Sequence, residues 1–327
     1  MINKEKILVT GATGFIGSHL VELLMEKGHS VIAYDRYNSN NDWGWLEYSA
    51  YKNDLQVVLG DIRDYDSVYK AMKKCNAVIH LAALIGIPYS YLSPLAYIRT
   101  NIEGTYNVLE SAKNLNCDQV IITSTSETYG SAQYVPIDEK HPLVGQSPYS
   151  ASKIGSDQLA ISYYRSFNMP VKIARPFNTY GPRQSGRAII PTVICQILQG
   201  NQNIELGNLS PKRDLTFVKD TASGFVEILN SSSLFGEVVN IGMNQEISIG
   251  DLIKKIAEIL KVKVAIKQDT QRKRPKKSEV DQLLCDNKLI LKNTSWVPKY
   301  DLNTGLEETI NWLKNNLHFY KADNYNV

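Results

Sequence analysis

Short runs of β-branched and aliphatic residues alternate with stretches whose apolar positions recur every three or four residues. That is the pattern of parallel strands joined by crossover helices. The runs predict strands at Lys6–Val9, Ser30–Tyr34, Gln56–Leu59, Ala77–Leu81, Gln119–Thr123, Val171–Arg175 and Val238–Ile241. Between them, Phe15–Lys27, Ser67–Lys74, Pro94–Asn114, Ser150–Phe167 and Ala188–Gln199 read as helices, followed by Ile249–Leu260 and Gly305–Leu317. Pro94 suits a first helical turn, with Ser93 as the expected N-cap. Beyond about residue 178 the alternation fades into loops rich in Gly, Pro and Asn. The expected fold is α/β, a doubly wound parallel sheet with a smaller C-terminal lobe.

Composition narrows the class without changing that picture. The 327 residues suffice for one large α/β unit or two ordinary domains. With 43% hydrophobic and 21% charged residues, wholesale disorder and coiled coil are excluded. No apolar run approaches the ~20 residues of a membrane helix. The first ten residues lead directly into a strand, so a cytoplasmic protein is expected. Cys75, Cys117, Cys195 and Cys285 form no CxxC pair, and the five histidines show no HExxH spacing, so neither disulfide scaffold nor metal site is expected. A net charge of +3 is too small to imply a nucleic-acid partner. Residues 251–300, however, hold 13 Lys and Arg against 6 Asp and Glu. This basic stretch reads as a solvated face or as a contact for a phosphorylated small molecule.

The chemistry is concentrated at predicted strand ends. Thr10-Gly11-Ala-Thr-Gly14-Phe-Ile-Gly17 forms a strand–turn–helix with glycines three apart. Such glycines permit a tight turn, close approach of a pyrophosphate, and close packing of helix on strand. The second strand ends in Asp35, placed to accept ribose hydroxyl protons and to repel a 2′-phosphate, which favours NAD. Neighbouring Arg36 would instead suit NADP, the less favoured cofactor. Asp61 and the small Ala82 and Ala83 follow the third and fourth strands, where Asp61 could meet an adenine amine. His80 reads as a core histidine. Downstream, the cluster Ser124-Thr125-Ser126-Glu127 precedes Tyr149 and Lys153, which are four apart and so share a helix face. An ammonium beside a phenol is expected to lower its pKa and so make it a usable base.

Glycines 11, 14 and 17 with Asp35, Asp61, Thr125, Tyr149 and Lys153 resemble the extended short-chain dehydrogenase/reductase family, which acts on nucleotide-sugars. The resemblance continues through Arg175-Pro-Phe-Asn178-Thr-Tyr-Gly-Pro-Arg183, the segment Arg213–Asp220, and Trp296-Val-Pro298. It implies a Rossmann domain over residues 1–177 plus about 214–243, and a nucleotide-sugar-binding lobe over 178–213 and 244–327. It also implies a cofactor site completed by Thr13, Phe15, Ile16, Ile62, Leu81 and Pro176. Asn178, Arg187, Arg213, Arg274 and Glu279 would hold the substrate. The helices of residues 94–114 and 150–167 resemble the pair through which this family forms homodimers.

Glu127, following the catalytic Ser/Thr position, favours elimination over simple epimerisation. Thr-Ser-Glu resembles the GDP-mannose 4,6-dehydratases and is also found in UDP-glucuronate decarboxylases, so it leaves the reaction open. Ser126 stands where dTDP-glucose dehydratases have an acid. Tyr37 to Leu46, with Gly181-Pro-Arg-Gln-Ser-Gly-Arg187, is similar to the LegB-type dehydratases of legionaminic acid biosynthesis, whose substrate is an activated N-acetylglucosamine. Trp43 and Trp45 read as loop packing. The segment Arg274 to Asp286 resembles the guanine-side segment of GDP-mannose dehydratases, with two additional residues before Glu279, and so favours GDP over UDP.

Overall fold

A computed structural model of the chain describes residues 5–269 and 275–320. The strands are β1 (Lys6–Thr10), β2 (Ser30–Arg36), β3 (Gln56–Gly60), β4 (Ala77–His80), β5 (Gln119–Thr123), β6 (Val171–Pro176), β7 (Asn178–Tyr180), β8 (Asn203–Leu206), β9 (Lys212–Phe217), β10 (Val238–Ile241), β11 (Glu246–Ser248), β12 (Ala265–Gln268) and β13 (Gln282–Leu283). Seven of them make one parallel sheet in the order β10-β6-β5-β4-β1-β2-β3. The strand order reverses between β1 and β4, which opens a crevice at their carboxyl ends. Because both faces are covered, Ile7–Val9 and Val120–Ile122 are buried without interruption, and the sequence accordingly shows runs rather than alternation there.

The helices are α1 (Phe15–Glu26), α2 (Tyr65–Met72), α3 (Ile87–Leu92), α4 (Pro94–Tyr97), α5 (Gly104–Asn114), α6 (Pro148–Phe167), α7 (Ile189–Leu198), α8 (Val218–Asn230), α9 (Ile249–Leu260), α10 (Lys288–Asn293) and α11 (Leu302–Asn316). On one face of the sheet, Leu20, Val21 and Leu24 of α1 join Phe225, Val226 and Leu229 of α8. Val68, Val108, Leu109 and Ala160 from α2, α5 and α6 fill the other. A third core joins α7, α9 and α11. Ile249, Leu252, Ile253 and Ile256 line the buried stripe of α9 at helical spacing. Truncating a fully buried member such as Leu252 costs about 2–5 kcal/mol. Beside this core, β7, β11 and β13 flank β9 in a small mixed sheet, and β12 pairs with β8.

Four expectations need correction. The predicted helix 94–114 is interrupted: α4 gives way to a π-helical turn at Ile98–Glu103 before α5. Within that turn, the Asn101 side chain accepts from Leu84 N–H at 2.8 Å and donates to Leu84 O at 3.0 Å, pinning the widened turn to the loop after β4. Ser93 precedes α4 but makes no side-chain cap. The helix placed at Ser67–Lys74 begins earlier, at Tyr65, because Asp64 accepts the Asp66 N–H at 3.0 Å. Finally, α3 and α8 had no counterpart in the periodicity. In α8, Gly224 weakens the helical signal, yet a Cβ there would lie 3.0 Å from Ile241, so close contact with the sheet requires the small residue.

Candidate active site

The predicted cofactor residues converge on the carboxyl edge of the seven-stranded sheet. Gly11, with φ +67°, leaves no room for a side chain, since a Cβ would sit 2.8 Å from Ala82 N. At Gly17 a Cβ would meet Gly11 O at 2.1 Å. Gly14 caps α1 without a side-chain hydrogen bond, and the first turn of α1 has no acid. A helix start of this kind, approached by bare backbone, fits a pyrophosphate. Thr13 donates its N–H (2.8 Å) and its hydroxyl (2.7 Å) to Asp35 Oδ2, which ties the glycine loop to the end of β2. The exposed Arg36 donates its backbone N–H to the other Asp35 oxygen at 2.7 Å. Asp61 is gripped by the Arg63 guanidinium through two contacts of 2.9 and 2.5 Å, which holds its carboxyl below the usual range. An adenine amine would therefore share that carboxylate with Arg63. Ile62 packs beside Gly104, and Leu81, Ala82 and Ala83 line the loop after β4.

His80 is a structural group. Thr105 donates its hydroxyl proton to Asn101 O at 2.6 Å, so its oxygen accepts from His80 Nε2–H at 3.2 Å. Nδ1 of the neutral ring then accepts from the Thr10 hydroxyl at 2.7 Å, and Thr10 Oγ1 accepts from Ala82 N–H at 3.2 Å. Burial lowers this imidazole to about 3, with the Lys153 charge adding to the effect, so it stays neutral.

Thr125, Ser126 and Glu127 leave β5 in a single helical turn, Ser126–Tyr129, in which Glu127 N–H reaches Thr125 Oγ1 at 3.3 Å. Ser126 and Glu127 are buried. Helix α6 starts two residues before the predicted position, since Ser147 and Ser150 form a reciprocal capping box and Pro148 fills the first turn. This cap places Tyr149 at the mouth of the sheet and Lys153 one turn deeper, both buried. Tyr149 meets Tyr97 edge to face at 6.2 Å. The expected lowering of its pKa is not found. Burial pushes the Tyr149 phenol well up, opposed by a hydrogen bond with Thr125 and reinforced by the Glu127 charge. Burial likewise lowers Lys153, opposed by Asp157. Desolvation is the largest influence on both groups because both have left water.

Sequence reasoning missed Asn101, which donates to Ser152 Oγ at 2.9 Å and so joins the loop after β4 to the helix carrying Tyr149. A lone Asn inside a helical run gave no signal. Trp45 packs edge-on against Trp312 and Phe319, with centroids 5.4 and 5.3 Å away. Its backbone N–H donates to Thr13 O at 3.1 Å, and it shares a cleft of about 350 Å³ with Phe15, Ile85 and Gln184.

The expected substrate residues are spread over the smaller lobe. Asn178 lies on β7 with a buried Oδ1 that meets no hydrogen-bond donor. Arg213 on β9 faces Glu279 at 3.7 Å. Arg187 is exposed, before α7, and its charge is felt at Tyr97. Arg274 lies outside the described residues. In the basic stretch, Lys267 is exposed and pairs with Glu205 at 3.2 Å.

A doubly wound sheet with a glycine-lined crevice and a Tyr–Lys pair on one helix face defines the short-chain dehydrogenase/reductase class. Within that class the chain belongs to the NAD-dependent epimerase/dehydratase family, since residues 8–309 match the family described as GDP-mannose 4,6 dehydratase. It is 35% identical to the dTDP-D-glucose 4,6-dehydratase of Dictyostelium discoideum over 78% of this chain and 62% of that protein. The dTDP-glucose 4,6-dehydratase of Streptomyces venezuelae, solved with NAD and TYD bound, superposes with a TM-score of 0.87 at 28% identity, covering 97% of this chain and 99% of the other. The UDP-glucuronic acid 4-epimerase of Bacillus cereus, solved with UDP-glucuronic acid and NAD, is also similar, with TM-score 0.86, 29% identity, and 95% and 99% coverage.

Proposed function

We propose that the protein is an NAD-dependent nucleotide-sugar 4,6-dehydratase acting on GDP-activated, or alternatively UDP-activated, N-acetylglucosamine, in legionaminic acid biosynthesis. Glu127 carries this reading: a buried carboxylate two residues from Thr125 and close enough to Tyr149 for its charge to bear on the phenol. Bound NAD would supply a reversible hydride acceptor between carbon 4 and carbon 6 of the sugar. Gly11, Gly14, Gly17 and the start of α1 would hold its pyrophosphate, and Asp35 its ribose. Tyr149 accepts the proton of the 4-hydroxyl, and Lys153 supports the resulting phenolate. The ketone at carbon 4 acidifies the proton on carbon 5. Glu127 then removes that proton and passes it to the hydroxyl on carbon 6, which departs as water. A solvent proton, balancing the one Tyr149 took up, would be restored at carbon 5 with the return of hydride at carbon 6.

Arg213 and Asn178 supply charge-assisted and directional donors for the substrate diphosphate. Glu279 is the base reader, released from Arg213 when guanine enters. Leu95, Ile98, Tyr106 and Phe167 are exposed on the helices expected to form the homodimer and support that assembly. The protein works in the cytoplasm, with residues 1–177 and about 214–243 as its cofactor domain and the remaining segments as its substrate lobe. A 4-epimerase is the second reading, because the epimerase structure is as similar to this chain as the dehydratase structure. Mass spectrometry of products from a panel of sugar nucleotides separates the two. A product lighter by one water, without net accumulation of reduced cofactor, is expected. A product of unchanged mass with inverted carbon 4 establishes the epimerase, and loss of carbon dioxide from a uronate establishes a decarboxylase.

A further inference from the structure

Behind Tyr149 and Lys153 lies a buried ionic cluster that the reaction itself does not use. Asp157 follows Lys153 by one helical turn on α6, so the two share a face. Its Oδ2 receives the Arg175 guanidinium at 2.7 Å and the Ser124 hydroxyl at 2.5 Å. Arg175 also donates through Nε to Ser124 Oγ at 3.1 Å, and its plane lies 4.6 Å from the Tyr129 ring. The side chains of Asp157 and Arg175 are each only 2% exposed. Three of the elements that deliver the reacting groups therefore meet here: the end of β5, the turn carrying Glu127, and the helix carrying Tyr149.

The cluster is asymmetric. Both hydrogen bonds fall on Oδ2, while Oδ1 is buried and accepts none. A buried carboxylate oxygen without a donor costs free energy unless a positive charge lies nearby. Arg175 is already engaged on the other oxygen, and the remaining cation on this helix face is Lys153. We propose that Asp157 is a positioning residue for Lys153, clamped by Arg175 and Ser124 so that its negative charge sustains the lysine ammonium inside the protein.

The surroundings of Lys153 leave Asp157 as its supporting anion. From β4, His80 is neutral. From the turn after β5, the Glu127 charge bears on Tyr149, one turn before Lys153 on α6, as does that of Asp157 to a smaller extent. Arg175, from β6, is paired. Burial drives Lys153 toward the neutral amine, and Asp157 is the charge that opposes it. Without Asp157 the amine loses its proton at lower pH, and the phenolate of Tyr149 loses its partner.

This inference rests on the proposed function only in taking Lys153 as part of the oxidation machinery, and it can be read without substrate. The full-length protein is labelled with [15N]lysine, and the Lys153 Nζ titration is followed by NMR, assigned with Lys153→Gln. The Asp157→Asn variant should lower the Lys153 midpoint by at least about one pH unit, the scale of a lost opposite charge. Asp157→Glu should restore most of it. Where removal of the single charge leaves Arg175 unpaired and the chain unfolded, the doubly neutral Asp157→Asn/Arg175→Gln variant should lower the midpoint in the same direction but by less, because a positive charge is removed with the negative one. An unchanged midpoint in either folded variant overturns the proposal. With a nucleotide-sugar in hand, the alkaline limb of cofactor reduction should move with the Nζ midpoint. If the midpoint moves but wild type turns over no nucleotide-sugar, only the functional reading falls.

Discussion

The two sides of the cleft are built differently. On the sheet side, the reacting groups are positioned by backbone geometry and burial. Gly11 and Gly17 admit no side chain, a serine capping box starts α6, and Asn101 locks the loop after β4 onto that helix. On the lobe side, charged residues hold one another. Arg213 faces Glu279, and the buried Asp214 accepts N–H groups from Met243 (2.8 Å) and Cys285 (3.1 Å). A site fixed by backbone keeps its geometry whether or not a substrate is present. A site held by ion pairs must exchange those partners for ligand groups, so its energetics are selective. On the proposed function, the reaction type would reside in the sheet edge and the choice of substrate in the lobe.

The sharpest way to break this division is to change the sheet side. Tyr149→Phe and Glu127→Gln should each cut turnover by ~10²–10⁴-fold, the usual contribution of a positioned base. They should fail at different steps. The tyrosine variant should not reduce cofactor, whereas the glutamate variant should reduce it transiently without exchanging deuterium at carbon 5. Near-normal product formation by Glu127→Gln would remove it as the carbon-5 base.

A second test concerns how Asp214 holds the lobe. Burial raises its carboxyl to about 7, opposed by the backbone donors it receives. A folded value above the unfolded one means that the native state binds the proton more tightly. The stability from this group is therefore fully present below about pH 4 and is lost as pH rises toward 7. Each unit of that shift is worth about 1.4 kcal/mol. Asp214→Asn should flatten this part of the Tm-against-pH curve between pH 4 and 7. Parallel curves for wild type and variant would show that Asp214 is not the titrating group.

Smaller effects are expected where the lobe reads the nucleotide. Glu279→Ala should narrow the preference for GDP- over UDP-N-acetylglucosamine by about tenfold, as loss of a paired polar contact does. A preference for UDP in wild type, or an unaltered ratio in the variant, would remove Glu279 as the base reader. The smallest effect belongs to Asp35→Ala. Thr13 already occupies one carboxylate oxygen, so NAD affinity should fall only severalfold while the margin over NADP narrows. Titration of both cofactors checks this, and NADP recovered as the main bound cofactor would show that Arg36 governs the site.

Long-period features are legible in the amino-acid sequence. The strands of the main sheet match their expected bounds to within two residues, because parallel strands buried on both faces leave uninterrupted apolar runs. The glycine spacing and the Tyr149–Lys153 pair are legible because turn geometry and helical period act locally. Helix α8 is hidden by its small residues, and the short strands of the lobe are too brief for any period to show.

What the amino-acid sequence determined by itself is the doubly wound sheet, the crevice at its carboxyl edge, and which side chains one helix presents there. Tertiary structure alone decided how those side chains are tuned. The neighbouring lysine was expected to make Tyr149 more acidic, but burial of both groups reverses the direction, and the compensating charge comes from Asp157. Its clamp, Arg175, lies on a different strand. Likewise Glu279 stands beside Lys276 and Lys277 in the amino-acid sequence, whereas folding sets it against Arg213, distant in the chain. Period and turn chemistry act within a few residues, while desolvation and charge pairing depend on which segments folding brings together.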